Sequence, residues 1–149
     1  MRKVFALTIW LTLLSAAELV RDDSTGIVLD ENSGLMWQDD SGAASEKVPW
    51  REALKRCENL RLGGYGDWRL PTSDELESLA DESRFKHGIY PVFENVGSGG
   101  YWSSTQDPVH PSRAWMTLYT CGGGYWYGKD KRAYLRCVRS IGVSGKPGQ

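Results

Sequence analysis

Three cysteines, two histidines and a cluster of aromatic and cationic residues towards the C-terminal end are the side chains in this 149-residue sequence with chemistry to offer. Cys57 falls on an amphipathic stretch and Cys137 in an apolar terminal one. Both are core positions, so in an oxidising compartment these two pair, and Cys121, in a Thr-Cys-Gly-Gly-Gly turn, is left free or intermolecular. Closing so long a loop stabilises by roughly 4–5 kcal/mol in the chain-entropy description. His87 and His110 lie in different loops, with neither a nucleophile beside them nor metal-ligand spacing. Asp30, Glu31 and Asn32 lack the D-x-[DN]-x-[DN]-G pattern of a dedicated calcium loop and read as turn chemistry. No catalytic residue, metal ligand or cofactor is therefore assigned. Binding chemistry is more legible: Tyr125, Trp126 and Tyr127 set three adjacent rings on a strand, whose period of two leaves at least one outside. With Arg113 and Lys129 they form a candidate ligand-binding set of rings and cations, suited to an anionic glycan or a protein epitope.

Several elements must position these residues. Ile27 to Gln38 is two apolar runs around a polar turn ending in Gly34, a β-hairpin. Asp39 to Lys47 is small and polar, a surface connection. From Pro49 the stripe Trp50, Ala53, Leu54, Cys57 and Leu60 predicts a helix, with Glu52 and Arg56 as an i,i+4 pair on its outer side. The stretch Gly63 to Leu76 is a hinge. Gly63 and Gly64 suit the left-handed residue that closes a helix, and Thr72 with Glu75 forms a capping box opening a second helix to about Asp81. Within it Trp68 fills core, while Asp67 and Arg69 tie the loop down. Residues 82–100 are irregular, anchored by Ile89, Tyr90, Val92 and Phe93, and Gly97 to Gly100 is a turn rather than a phosphate loop. Strands follow at Tyr101 to Thr105, Ala114 to Tyr119, Tyr125 to Tyr127 and Ala133 to Arg139, the last alternating Tyr134, Arg136 and Val138 with Leu135, Cys137 and Arg139. Trp37, Trp50, Trp102 and Trp115 are core positions, and Tyr119 points inward.

Length allows one domain with a real core. Seven Trp, seven Tyr and 17 Gly indicate a loop-rich α+β protein packed by large rings. Arg2 and Lys3, the apolar run Val4 to Leu14 and the small residues Ser15-Ala16-Ala17 predict an export signal over residues 1–17, too short to span a membrane. A domain over 18–141 and a frayed tail over 142–149 follow. The net charge of −1 becomes −3 when Arg2 and Lys3 are removed with the signal, which is not a nucleic-acid-binding balance. Glu18 to Asp40 holds seven acids against Arg21, and Lys129 to Gln149 six bases against Asp130. Either the two ends neutralise each other or the bases form a ligand-facing patch.

The residues Gly34-Leu35-Met36-Trp37-Gln38, Trp50-Arg51-Glu52-Ala53-Leu54 with Cys57, Gly64-Tyr65-Gly66-Asp67-Trp68-Arg69-Leu70-Pro71-Thr72, Tyr101-Trp102-Ser103-Ser104-Thr105 and Arg136-Cys137-Val138-Arg139 run in order from about Gly26 to Arg139. This set resembles the C-terminal domain family of collagen-like bacterial adhesins. The resemblance implies a C-type-lectin-like fold related to the formylglycine-generating enzymes, with two helices flanking small antiparallel sheets, and it also implies the Cys57–Cys137 disulfide. The sequence holds no Gly-X-Y repeat, so collagen-driven trimerisation is not carried over. It also lacks the Glu-Pro-Asn and Trp-Asn-Asp motifs of calcium-dependent lectins.

The expectation is an exported, non-catalytic binding module, periplasmic or at the cell surface, whose partner is an extracellular or envelope glycan or protein. The alternatives are a formylglycine-generating-type oxidase, which needs a reactive cysteine pair, and a structural envelope subunit.

Overall fold

The computed structural model describes residues 19–83 and 88–142. The expected export signal, His87 and all but the first residue of the expected tail lie outside them.

Strands β1 (Leu19–Asp22), β2 (Ile27–Asp30) and β3 (Leu35–Gln38) form an antiparallel meander that β9 (Val138–Ser140) completes in the order β1-β2-β3-β9. The β2–β3 turn works as read from sequence: Asp30 accepts from the Asn32 and Ser33 N–H groups and the Ser33 hydroxyl, and Gly34 takes φ +69°. A short helix α1 (Gly42–Ser45) follows where a surface connection was expected. The difference comes from burial: Asp39 and Ala43 are both fully inside.

Helix α2 (Trp50–Asn59) buries Trp50, Ala53 and Cys57, with Pro49 at its N-cap. Arg56 grips Glu52 at 2.7 Å on the outer side. The Gly63–Gly64 pair does not close this helix. Its C-cap is Leu60, and the glycines, at φ +60° and +81°, make the turn between Leu62 and Tyr65. The second predicted helix is also shorter than expected. Its capping box forms, with Thr72 accepting from the Glu75 N–H and Glu75 from the Thr72 N–H, but α3 stops at Ser73–Glu77. Ala80–Asp81 turns into β4, which pairs with β5 (Gly88–Ile89).

A three-stranded antiparallel sheet follows: β6 (Tyr101–Gln106), β7 (Arg113–Leu118) and β8 (Gly123–Gly128), with a 3-10 turn at Tyr119–Cys121. The last predicted strand is a correction. Only Val138–Ser140 is strand, because Ala133, Tyr134 and Val138 bridge three different partners, Val48, Tyr101 and Arg69. The alternation still holds through this segment: Leu135 and Cys137 enter the cluster with Trp50, Trp68 and Trp102, whereas Tyr134 and Val138 enter the one with Trp37, Tyr101 and Tyr119.

Cys57 and Cys137 are disulfide-bonded with Cα atoms 5.4 Å apart. This joins α2 to the terminal segment 80 residues on, across the larger cluster. Mixed helix and small antiparallel sheets give an α+β protein, with three α-helices among the described residues rather than the two expected. Among the described residues no helix is long and apolar enough to cross a membrane.

Candidate functional site

The frame is tied by aromatic side chains that each use a polar tip. Trp50 donates to Ser103 O and Trp102 to Val48 O at 2.8 Å, while the Tyr101 hydroxyl donates to Ala43 O at 2.8 Å and the Tyr119 hydroxyl to Leu76 O at 2.7 Å. Beneath them Arg136 is wholly buried, donating to Asp39 Oδ1 at 2.7 Å and to the carbonyls of Gln38 and Asn95 at 2.6 Å. Its guanidinium lies near the Phe93 and Tyr101 rings. Burial pulls its pKa below the ordinary guanidinium value. Asp39 also accepts from the Glu94 and Asn95 N–H groups and pairs with Arg21, so one carboxylate fixes the loop that reaches β6.

In the hinge, Trp68 is buried, Asp67 binds Arg139 at 2.7 Å and Arg69 grips Glu75 through two bonds at 2.8 and 2.7 Å. The Arg69 guanidinium lowers the Glu75 pKa. These residues position the chain, as their sequence context suggested. The two charged ends do meet at Asp39–Arg136, so that base at least is internal and belongs to no ligand-facing patch.

Of the five predicted ligand-binding residues, the structure separates two functions. Arg113 is tied to Asp107 at 2.6 Å and lies 2.5 Å from His110. Lys129 donates to Gln106 Oε1 and Pro111 O at 2.7 Å and sits 4.2 Å over the Trp50 ring. Both cations thus hold the 106–113 loop. Burial opposes ionisation of Asp107, but bonds from the Val109 and His110 N–H groups and from Arg113 outweigh it and hold its pKa at about 2. Tyr127 packs on Trp102 with ring centres 5.5 Å apart, and Tyr125 meets it edge-on from the same side of β8 while keeping 47% of its surface exposed. Trp126, on the other side, meets Trp115 edge-to-face at 5.1 Å. Trp115 is half-buried rather than the core residue expected from sequence.

That Trp115 side of β7 opens into a cavity of about 300 Å³, bounded by Thr117, Tyr119, the Gly122–Gly124 run, and Glu77 and Glu82 from the end of α3 and just past β4. Its size lies at the small end of ligand sites. Two buried polar atoms here have no partner, Trp115 Nε1 and Thr117 Oγ1. Thr117 is 2% exposed, whereas Glu77 and Glu82 stand at the exposed rim. Close approach of β8 requires Gly124: a Cβ there would fall 2.6 Å from Trp115 Nε1 and collide with Met116 O. A cavity of about 370 Å³ against β1, lined by Leu19, Leu79, Tyr90 and Val92 among others, is larger, but none of the unpartnered buried atoms lines it. Thr117, Glu77 and Glu82 were not singled out in the sequence. An alternating β-strand containing Trp and Thr carried part of the signal, but which face a helix leaves uncovered is a tertiary fact.

Among the described residues no group of three or more His, Cys, Asp or Glu side chains is arranged to hold a metal ion. The remaining thiol, Cys121, is exposed.

Part of the chain is 33% identical over 79 residues to agglutinin-like protein 3 of Candida albicans, covering 47% of this chain and 7% of that protein; the same protein from strain SC5314 matches equally. The chain thus spans only a small fraction of the curated relative it matches. The Lcl C-terminal domain family matches residues 26–139, from the β1–β2 turn through Cys137 to β9, and the chain belongs to that family.

Proposed function

We propose that this domain is an exported, non-catalytic binding module that recognises a surface glycan or protein in an adhesion-like role. The observation that carries the reading is the pair Trp115 and Trp126, half-buried in edge-to-face contact on one face of β7–β8, with Trp115 lining a cavity, while Trp37, Trp50, Trp68 and Trp102 are 0–5% exposed. Rings held on a rigid sheet give contact area at small entropic cost. Membership of the Lcl C-terminal domain family and the partial likeness to an agglutinin-like protein agree with this role. A formylglycine-generating-type oxidase is disfavoured, because two of the three thiols are joined and Cys121 stands exposed and alone.

Arrays of glycans and extracellular proteins, probed with wild type and with Trp126→Ala, test this. The expected result is binding that chelator leaves unchanged and that Trp126→Ala reduces without altering stability. Retention of full binding by the variant counts against this face, and absence of binding across both arrays counts against the module.

A further inference from the structure

Most outer edges of the two larger sheets are closed or blunted. β9 is covered by the hinge, where Arg69 and Val138 exchange two backbone bonds of 2.9 Å. β6 is covered by the carbonyls of Tyr134 and Pro71, which accept from the Trp102 and Ser104 N–H groups. β1 is four residues long and carries Arg21 and Asp22, a short, charged edge that discourages pairing. The edge of β8 (Gly123–Gly128) is different. Its six residues run in unbroken register with β7, include no charge and no proline, and are all at least partly exposed. Beyond the β7 ladder, the one backbone bond it makes among the described residues is at its last position, where Gly128 O accepts from the Lys131 N–H of the following turn. A neutral, aromatic edge of this length is a template for another strand.

We propose that β8 pairs antiparallel with β8 of a second copy of this chain, about a two-fold axis at Trp126, so that the two three-stranded sheets become one. Opposed residues of an antiparallel pair share a face, so the axis passes through a residue position rather than between two. Centred on Trp126, it sets that ring against its own counterpart, Tyr125 against Tyr127 of the second copy and Gly124 against Gly128, so every ring meets a ring. Centred on Tyr125, it would set Trp126 against Gly124 and lose that packing. The charges at the two ends agree with this pairing. Glu77 and Glu82 stand beside the Gly122–Gly124 end, while Lys129 and Lys131 follow the other, with Asp130 between them. Antiparallel pairing brings the acidic end of one copy to the basic end of the other. An unrelated extended peptide satisfies the edge, but a second copy brings the matching rings and the opposite end charges with it. Six residues a side are fewer than the roughly 20–30 of a standard interface, so the pairing is weak and grows with concentration. It goes beyond the binding-module reading and does not depend on it. Where both hold, Trp115 and Trp126, already paired across β7–β8, continue into the same two indoles of the second copy as one row.

Sedimentation equilibrium of the exported chain, carrying Cys121→Ser so that the exposed thiol cannot crosslink two copies, tests this without any ligand. The mass should rise from that of a single chain at about 10 μM to that of a pair at about 1 mM and stop there, the range of a weak interface. Amide exchange across β8 should slow over the same range while that of β1 stays constant. Trp126→Lys and Trp126→Glu each oppose like charges at the axis and should weaken association about tenfold, whereas an equimolar mixture of the two should restore it. Restoration on mixing also shows that both variants are folded. The proposal is overturned if the chain stays single at the upper concentration, if the mass climbs past a pair, or if β8 exchange does not change with concentration. It is overturned equally if Trp126→Lys associates as the parent does, or if the mixed variants associate no better than each alone. Because no ligand takes part, none of these failures bears on the array test of the binding module.

Discussion

Arg136 and Asp39 bury a full ion pair, and each spends its remaining bonds on backbone, so the pair acts as a bracket between β3, the 93–97 loop and the terminal segment. Such a pair contributes little net stability over apolar residues of equal shape, but removing one half strands the other in a dry interior. Asp39→Ala is expected to lower unfolding free energy by about 3–5 kcal/mol, measured as a shift of the urea midpoint with unchanged slope. A shift within the range of a surface substitution would show that the bracket is not needed. Asp107 makes a separate prediction at low pH. Its folded pKa of about 2 lies below the ordinary 3.8, so its contribution is fully present above pH 3.8 and is lost as pH falls towards 2. The Val109 and His110 amide resonances should titrate with a midpoint near 2, and Asp107→Asn should abolish the transition. A midpoint near 3.8 would mean that the Val109 and His110 amides and Arg113 do not hold this carboxylate.

At the scale of elements, α3 is only five residues long and depends on its cap. Thr72→Ala should cost about 1 kcal/mol, because the Glu75 N–H loses its acceptor. Elements were legible in the sequence where local chemistry decided them. The Trp50–Ala53–Cys57 stripe gave α2 and its start though not its end, Thr72 and Glu75 gave the start of α3, and Asp30 with Gly34 gave the β2–β3 hairpin. What escaped was decided by distant partners. Asp39 reads as part of a polar linker until Arg136 is placed on it. Ala133 to Arg139 reads as one strand until its bridges to Val48, Tyr101 and Arg69 are known. The predicted binding set divided for the same reason. Arg113 and Lys129 found acceptors within the 106–113 loop and with Gln106, while Tyr125 and Trp126 found incomplete cover.

For the molecule as a whole, the disulfide links α2 to the segment entering β9, and the buried bracket meets that same segment at the residue before Cys137. Replacing both cysteines by alanine should lower stability by roughly 2–5 kcal/mol, and reductant should do the same to wild type but not to the variant. The indoles beyond residue 18 fall into two groups. Trp37, Trp50, Trp68 and Trp102 are buried in the frame, whereas Trp115 and Trp126 are half-buried, and the proposed recognition falls to them. The most direct measurement follows the indole N–H resonances of these six residues by NMR during titration with the strongest ligand found on the arrays. Saturable shifts are expected for Trp115 and Trp126, and stationary signals for the other four. Movement confined to the frame tryptophans, or no movement in any of the six, would contradict this division.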